Sequence, residues 1–195
     1  MIPPDILPEF SSARLRLRRY RPEDSAAYFQ MLQANREHLR EFLPTLWQDV
    51  QNEADVATVL RQLAAEWDAR NLFIFGVWEK ESGSYVGELY LANPDWQVPC
   101  VELGYFLVKD KTGCGYATEA AQAMIQFAFE KLKVSRIDLQ CAADNLASQR
   151  VAERCGFTLE GCQRQRQRKK DGKLVDRLWY GLLAQEGTQK HDRRN

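Results

Sequence analysis

The sequence predicts a mixed α/β protein built on one sheet with helices on both of its faces. Three observations predict this class: period-two alternation of apolar and polar residues in short segments, helical spacing of apolar residues between them, and glycine-containing turns between neighbouring strands. The elements follow the order strand, helices, three antiparallel strands, helix, strand, helix and two strands. A mixed, mostly antiparallel sheet of about seven strands accounts for this order.

The first half of the chain supplies one strand and three helices. Leucines alternate with arginines in Ala13–Arg18, as expected of a half-buried strand. A helix opens at Pro22, and Glu37–Leu46 is predicted to form a second helix. The third helix starts after Asn52, a residue type that caps helix N-termini, and reaches Trp67.

The second half supplies the remaining strands and two more helices. The strands are predicted at Leu72–Lys80, Tyr85–Ala92, Cys100–Val108, Arg136–Ala142, Thr158–Lys169 and Lys173–Leu183. The segment Asn93–Pro99 is predicted to be a loop. One helix runs from a glycine-containing loop to about Leu132, and the other, Asn145–Cys155, stops at Gly156.

Length and composition indicate one soluble domain. The 195 residues suffice for one full core, so residues 1–187 are predicted to form a single domain and residues 188–195 a flexible polar tail. Lys plus Arg and Asp plus Glu number 27 each, which argues against a general nucleic-acid binder. Because the sequence shows no signal peptide and no apolar run of roughly 20 residues, the expected location is the cytoplasm.

The cysteines predict neither a disulfide framework nor a metal site. They form an odd set of 5 without a C-x-x-C pair, and the chain has only 2 histidines to complete a zinc site. We expect reduced thiols, as in a cytosolic protein. Cys114 is expected to be a tolerated outward side chain, with a redox role as the alternative.

The segment Val108–Ala121 contains the most informative pattern in the chain. An apolar strand gives way to Gly113 and Gly115 and then to a helix start. The first amides of a helix lack intrahelical acceptors and lie at the positive end of the helix dipole, so they can bind an anion. Glycines let the backbone approach such a ligand closely. We predict a phosphate or pyrophosphate ligand; an ordinary strand-to-helix turn is the alternative.

Two common phosphate-binding motifs do not fit this loop. No Gly-Lys-Ser/Thr follows at the spacing found in nucleoside triphosphatases. The dinucleotide fingerprint fits only in part, because Thr118 occupies the third glycine position and Arg136–Ala142 ends without the acidic residue that holds a ribose. Coenzyme A remains as the candidate pyrophosphate ligand.

Four segments give the chain a family resemblance. They are Glu102–Leu107, Gly113–Ala120, Asn145–Ser148 and Glu153–Phe157. In this order they are similar to the motifs of the GCN5-related N-acetyltransferase (GNAT) superfamily. The chain is most similar to the RimJ/RimL branch, which acetylates the N-termini of ribosomal proteins. The similarity extends from Arg14 to about Leu183.

The resemblance implies a splayed sheet and acetyl-CoA as the cosubstrate, with no metal. In this family two strands beside the glycine loop diverge, and the pantetheine arm inserts between them. The thioester carbonyl is then expected to meet the backbone N–H of Leu107. The side-chain amide of Asn145 is expected to bond the pantetheine arm, with a helix cap as its alternative role. The expected pyrophosphate ligands are the backbone amides of Gly113, Cys114, Gly115, Tyr116, Ala117 and Thr118.

The reaction implied by the resemblance is direct transfer of the acetyl group to a primary amine. An α-amino group titrates near ~8 and a lysine near ~10.4, so a base must remove a proton before the attack. Glu102 is the first candidate for this base, with a purely structural carboxylate as the alternative, and Glu88 is the reserve. Ser148 resembles the serine that protonates the departing thiolate; a local helix cap is its alternative role.

The acceptor is left open among three classes. An N-terminal α-amine of a protein or peptide, such as a ribosomal protein, is the first expectation. A small amine (a polyamine, an amino acid or an aminoglycoside) is the second, and a non-catalytic acetyl-CoA-binding module is the third. The basic run Arg164–Lys170 is either a solvated sheet edge or a lip that attracts an acidic partner, a cofactor phosphate or ribosomal RNA. A homodimer is compatible with the sequence, and no membrane partner is expected.

Overall fold

One sheet of eight strands forms the centre of the molecule. The computed structural model describes residues 6–39, 50–169 and 171–189. The strands are β1 Glu9–Ser11, β2 Leu15–Arg18, β3 Leu72–Glu79, β4 Tyr85–Asp95, β5 Cys100–Leu107, β6 Arg136–Ala142, β7 Thr158–Arg168 and β8 Leu174–Leu183. Their order in the sheet is β1-β2-β3-β4-β5-β6-β8-β7, and only β5 and β6 pair in parallel.

Six α-helices accompany the sheet in the described residues. They are α1 Ser25–Ala34, α2 Arg36–Leu39, α3 Glu53–Asp68, α4 Tyr116–Phe127, α5 Leu146–Cys155 and α6 Ala184–Gln189. The predicted cap of α3 is confirmed, since the Asn52 side chain accepts hydrogen bonds from the amides of Ala54 and Asp55. A π-helical turn, Ala128–Leu132, continues α4 to the predicted end.

Two apolar clusters lie on opposite faces of the sheet. One packs α4 and α5 against residues that include Phe75, Leu103 and Leu139. The other packs α1, α2 and most of α3 against Ile74 and Phe106. Phe75 and Ile74 are neighbours in β3, so their side chains point to opposite faces. The predicted architecture, a mixed and mostly antiparallel sheet with helices on both faces, is confirmed.

One unpredicted strand and one extended strand are the main differences from the prediction, and other strand ends differ by one or two residues. The eighth strand, β1, has only 3 residues, which is too short for a period-two pattern to be recognised. Strand β4 continues to Asp95 instead of ending at Ala92. Asn93 adopts a left-handed φ of 50°, and the register with β5 shifts between Ala92 and Asp95. The segment predicted as a loop, Asn93–Pro99, therefore begins as a bulged strand.

Two predicted segments reach residues that the structure does not describe. Of the predicted helix Glu37–Leu46, α2 covers the start, and residues 40–49 lie outside the described residues. At the C-terminus, α6 runs through Gly187 to Gln189, where the sequence predicts a tail from residue 188. Residues 190–195 lie outside the described residues.

Candidate active site

The glycine loop between β5 and α4 is exposed and strongly turned. Gly113 has a φ of 77° and Gly115 a φ of 83°, and Gly115 occupies the N-cap position of α4 without a side chain to cap it. Within the described residues no protein acceptor is found for the amides from Gly113 to Thr118. These amides are therefore available to a ligand, as the sequence predicts.

The first turn of α4 is braced by the turn between β1 and β2. The Glu119 carboxylate accepts hydrogen bonds from the Ser12 hydroxyl at 2.6 Å and from the backbone amide and Nε of Arg14 at 2.7 Å each. The Arg14 guanidinium lies 4.4 Å from the centre of the Tyr116 ring and donates to the Cys114 carbonyl at 3.4 Å. The brace fixes the loop relative to the sheet.

A second carboxylate braces the loop from the end of β3. Glu79 accepts hydrogen bonds from the Ser82 hydroxyl at 2.6 Å, from the Tyr116 hydroxyl, and from Lys111 Nζ at 3.1 Å. These donors, Ser82 first, lower the pKa of Glu79 to about 2. Because Lys111 pairs with Glu79, the nearest lysine already has a counter-ion, and an anion in the loop must be held mainly by backbone amides.

The sheet opens next to this loop. Pairing between β5 and β6 covers only Cys100–Glu102 on one strand and Arg136–Asp138 on the other. Among the described residues no ladder joins the following segments, Leu103–Leu107 and Leu139–Ala142. We call the space between these two segments the gap: its closed end lies at Glu102, and its open end lies at the glycine loop.

Backbone donors of β5 face the gap. The Val108 amide donates to the Val86 carbonyl at 3.0 Å, on the β4 side. Because successive residues of a strand direct their amides to opposite sides, the amides of Tyr105 and Leu107 point into the gap. His38 Nε2, from α2, lies 3.0 Å from the Leu107 carbonyl oxygen and donates to it at the open end.

Glu102 lies at the closed end of the gap. Its Oε2 atom accepts hydrogen bonds from Asn93 Nδ2 at 3.0 Å and from Gln140 Nε2 at 3.3 Å. Glu102 and Leu107 are five residues apart on one strand, a separation of roughly 17 Å. The structure therefore does not bring these two predicted residues onto the same reacting carbonyl, and a proton that reaches Glu102 from beside Leu107 must pass through water.

Glu88, the reserve base, is buried in the cluster on the α1 face. It is 4% exposed, and its Oε2 atom accepts hydrogen bonds from the hydroxyls of Tyr20 at 2.9 Å and Tyr28 at 3.2 Å. Tyr85 extends the network, with its hydroxyl 2.6 Å from that of Tyr20. Burial raises the pKa of Glu88 to about 7, although the two tyrosine hydrogen bonds act in the opposite direction.

Ser148 lies on the other face of the sheet, beside the gap. Its hydroxyl is 3.0 Å from the Tyr105 hydroxyl, and a hydrogen bond from Ser148 partly offsets the burial that raises the pKa of the Cys141 thiol. The Asn145 Oδ1 atom accepts the Ser148 amide at 3.1 Å and caps α5. The helix-cap role of Asn145 is thus present, and its amide nitrogen has no protein acceptor within the described residues.

The predicted site residues thus fall into three groups along one gap. The glycine loop lies at the open end, Ser148 beside Tyr105 on the α5 face, and Glu102 at the closed end on the α1 face. Glu88 lies one strand further from the gap, under the tyrosines. The first three groups line the gap, and Glu88 does not.

The basic run Arg164–Lys170 does not form a regular strand face. Gln165 adopts a left-handed φ of 52°, and its amide donates to Asp176 Oδ1 at 2.8 Å within a register shift between β7 and β8. The period-two alternation that predicts a common face for the three arginines of the run is interrupted there. Lys170 lies outside the described residues, and contact of the run with a substrate stays a prediction.

Sequence reasoning missed several groups around the gap. Arg14 and Glu119 brace the loop from a distance of 105 positions in the chain, which no local pattern reveals. The indole N–H of Trp179 is buried without an acceptor among the described residues, and the same is true of Arg177 Nε. Arg177 and its neighbour Asp176 are charged residues within the otherwise apolar interior of a predicted strand, which is the sequence signal that could have identified Arg177.

Among the described residues there is neither a candidate metal site nor a membrane-spanning helix. No group of three or more His, Cys, Asp or Glu side chains could hold a metal ion in that part of the chain. No helix there is long and apolar enough to cross a membrane.

Comparisons with known proteins agree with this geometry. A model of the acetyltransferase (GNAT) domain matches residues 14–158. An uncharacterized N-acetyltransferase, p20 of Bacillus licheniformis, is 28% identical over 173 residues, which cover 89% of this chain and 94% of the relative. The ribosomal-protein-serine acetyltransferase of Escherichia coli is 39% identical over 64 residues, 33% of this chain and 36% of the relative. The structure of Mycobacterium smegmatis RimJ in complex with CoA-disulfide has a TM-score of 0.80 at 25% identity and covers 95% of this chain and 91% of its own.

The splayed sheet and the glycine loop define an acyltransferase of the mixed α/β class. The chain belongs to the GNAT acetyltransferase family, because the family model spans most of its length. The family predicted from the sequence is confirmed, as is the resemblance to ribosomal-protein acetyltransferases of the RimJ/RimL type.

Proposed function

We propose that this protein transfers the acetyl group of acetyl-CoA to the α-amino group at the N-terminus of a protein or peptide. The observation that carries the proposal is the position of the glycine loop at the open end of the gap between β5 and β6. A cosubstrate with a pyrophosphate at one end and an extended arm at the other requires these two features side by side.

The donor is held mainly by the backbone. Amides from Gly113 to Thr118 bind the pyrophosphate, and the pantetheine arm lies between β5 and β6, where it can pair like an added strand. The Asn145 amide nitrogen donates to this arm while its oxygen caps α5. Side-chain cations add little, since Arg14 and Lys111 are paired with carboxylates.

The thioester lies between Leu107 and the closed end of the gap. The amides of Tyr105 and Leu107 point into the gap and stabilise the negative charge that develops on the carbonyl oxygen during attack. The Ser148 hydroxyl donates to the departing thiolate from the α5 face, and the Tyr105 hydroxyl at 3.0 Å orients it.

The amine approaches from the α1 face, where Glu102 lies. Glu102 Oε1 has no protein donor in the described part of the chain, so it can accept a proton from the amine through a water molecule. Glu88 has a pKa of about 7, which suits a general base, but only 4% of it is exposed and two tyrosines cover its carboxylate. Glu102 is therefore the proposed base.

A ribosomal protein is the proposed source of the N-terminus. The support is the similarity to a ribosomal-protein-serine acetyltransferase of Escherichia coli and the likeness to RimJ. We further propose that residues 1–187 act as one domain in the cytoplasm, as a monomer or a homodimer.

The test is acetyl transfer over a panel of acceptors. Purified protein is first titrated with acetyl-CoA by calorimetry, and release of the CoA thiol is then followed with N-terminal peptides, N-blocked lysine peptides, polyamines, amino acids and aminoglycosides. We expect binding, with the highest kcat/KM for free N-termini. Binding without transfer to any acceptor indicates a non-catalytic module, and preference for a polyamine or an aminoglycoside refutes the proposed acceptor. Absence of binding at millimolar acetyl-CoA refutes the proposal as a whole.

A further inference from the structure

Two hydrogen-bond donors on β8 are buried without a protein acceptor. They are Arg177 Nε and Trp179 Nε1, and no acceptor for either lies within the described residues. In that part of the chain no carboxylate forms an ion pair with Arg177. A partly buried guanidinium and an indole N–H are costly to leave unmatched, so two of them side by side indicate a ligand.

The two donors face the same side of the sheet. Arg177 and Trp179 are two positions apart on β8, so their side chains point to one face with roughly 7 Å between them. Across the β6–β8 ladder, Trp179 pairs with Gln140 and Arg177 pairs with Ala142. The small alanine leaves room next to the guanidinium. Both side chains are partly exposed, so a ligand can reach the two residues, and a rotation of each side chain has to uncover its buried N–H group for the ligand.

The same face carries the acid at the closed end of the gap. Gln140 lies between Trp179 and Glu102. It pairs with Trp179 across the β6–β8 ladder, and its Nε2 atom donates a hydrogen bond to Glu102 Oε2 at 3.3 Å. Tyr90 lies on the other side of this acid, over Gly104, where a Cβ atom would lie 2.0 Å from the tyrosine ring. Burial raises the pKa of the Tyr90 hydroxyl, the charges of Glu102 and Glu88 raise it further and that of Arg177 lowers it, so the unmatched cation and Glu102 both lie within electrostatic range of this tyrosine.

This arrangement matches the two ends of an α-amino carbonyl group. Such a group places an ammonium and a carbonyl oxygen on adjacent carbon atoms, and the first suits a carboxylate while the second suits N–H donors. A polyamine or another alkylamine offers nothing for the guanidinium and the indole to bind. The buried N–H donors are satisfied only by a substrate that carries the matching oxygen. A site of this kind discriminates strongly against substrates that lack this oxygen.

We propose that Arg177 and Trp179 determine acceptor specificity by donating hydrogen bonds to the α-carbonyl oxygen of the acceptor while Glu102 holds its amino group through water. The inference rests on the proposed acetyltransferase function and deepens it. An N-terminal peptide and a free α-amino acid share the recognised chemistry, and the experiment distinguishes these two sources.

The experiment compares acceptors that differ in one group. Alaninamide carries the carbonyl, alanine carries a carboxylate in its place, and isopropylamine carries a methyl group. Trp179→Phe keeps an aromatic ring and removes the N–H, and Arg177→Met keeps the length and removes all donors. We expect each variant to lower kcat/KM for alaninamide about five- to tenfold, with less than twofold change for isopropylamine and no change in acetyl-CoA affinity. Trp96→Phe, at the end of β4, is the matched control.

Each outcome decides the proposal. A selective loss for alaninamide and for a short peptide supports it with a peptide as the source, and a larger loss for alanine supports it with a free amino acid. Equal losses for all three acceptors, or no loss, overturn it, because the residues then act structurally or not at all. Circular dichroism and thermal unfolding exclude a misfolded variant, and Arg177→Met tests the idea again should Trp179→Phe not fold. Wild-type protein that binds no acetyl-CoA refutes the proposed function itself, and this inference falls with it.

Discussion

Gly115 is the residue on which the shape of the anion-binding loop depends most directly. Its φ of 83° belongs to the left-handed region, and a Cβ atom added there meets only Arg14 Nη2, at 3.6 Å. Space is therefore available, and the cost of a side chain is conformational, about 1 kcal/mol for an L-residue in this region. The loop must either carry this strain or rotate amides away from the ligand.

We expect Gly115→Ala to lower the free energy of unfolding by about 1 kcal/mol and to weaken CoA binding about fivefold or more. Chemical denaturation and calorimetric titration measure the two effects. Gly161→Ala on β7 is the matched control, because Gly161 has no positive φ and no atom within 4 Å of the added Cβ atom. Equal CoA affinity for the two variants would show that the loop amides do not hold the pyrophosphate.

The charged residues around the loop also indicate that backbone amides, and not side-chain cations, bind the anion. Arg14 pairs with Glu119 at 2.7 Å, and Lys111 pairs with Glu79 at 3.1 Å. The cations therefore fix the loop and are not free to bind an anion.

At the scale of the element, α5 depends on one side chain for its N-terminus. Asn145 Oδ1 accepts the Ser148 amide at 3.1 Å, and the amide nitrogen of the same side chain is available to the pantetheine arm. The two roles use different atoms, so substitutions can separate them. Aspartate retains the oxygen and suits the positive end of the helix, whereas alanine loses both functions.

We expect Asn145→Ala to destabilise the protein by about 1 kcal/mol and Asn145→Asp to leave its stability within a few tenths of a kcal/mol. Both variants should bind CoA about tenfold more weakly, because both lack the N–H donor. Thermal unfolding and calorimetry provide the two readouts. An Asn145→Asp protein with wild-type affinity for CoA would restrict the residue to its cap role.

Elements with a clear period could be predicted from the sequence, as could the antiparallel pairing of strands joined by short turns, but the pairing of strands far apart in the chain could not. The bounds of β6, Arg136–Ala142, agree with the prediction, and the cap at Asn52 marks the start of α3. Strand β1 has 3 residues and carries no period. The bulge at Asn93 depends on pairing with β5, a tertiary interaction that single-residue propensities do not contain.

Some residues of the candidate site could likewise be recognised in the sequence, and others could not. Gly113 and Gly115 could be recognised because a strand, two glycines and a helix are consecutive in the chain. Arg177 and Trp179 lie near Glu102 only because β8 pairs with β6, which adjoins β5, and that strand order is not written in any local pattern. The burial of Glu88 likewise depends on Tyr20 and Tyr28, 60 or more positions away in the chain.

At the scale of the whole molecule, Glu88 couples folding to pH. Three tyrosines surround it: Tyr20 precedes α1, Tyr28 lies on α1 and Tyr85 begins β4. Burial raises the pKa of Glu88 from its ordinary 4.5 to about 7 in the folded protein. Between these two values the folded state holds a proton that the unfolded state has lost. The contribution of Glu88 to stability therefore falls as pH rises from about 4.5 to about 7 and is constant above that range.

We expect Glu88→Gln to remove this dependence, because its amide oxygen accepts the tyrosine hydrogen bonds and carries no charge at any pH. The difference in unfolding free energy between variant and wild type should then shift in favour of the variant, by on the order of 3 kcal/mol, between pH 5 and pH 8. Urea denaturation at several pH values measures this difference, in which all other titrating groups cancel.

Glu79→Gln is the control. The pKa of Glu79 is about 2 in the folded protein, and that of a free glutamate lies below pH 5. The difference in unfolding free energy between Glu79→Gln and wild type should therefore not vary between pH 5 and pH 8. A Glu88→Gln difference that is equally flat would mean that the carboxyl is already ionised at pH 5 in the folded protein, with the tyrosine hydrogen bonds outweighing burial.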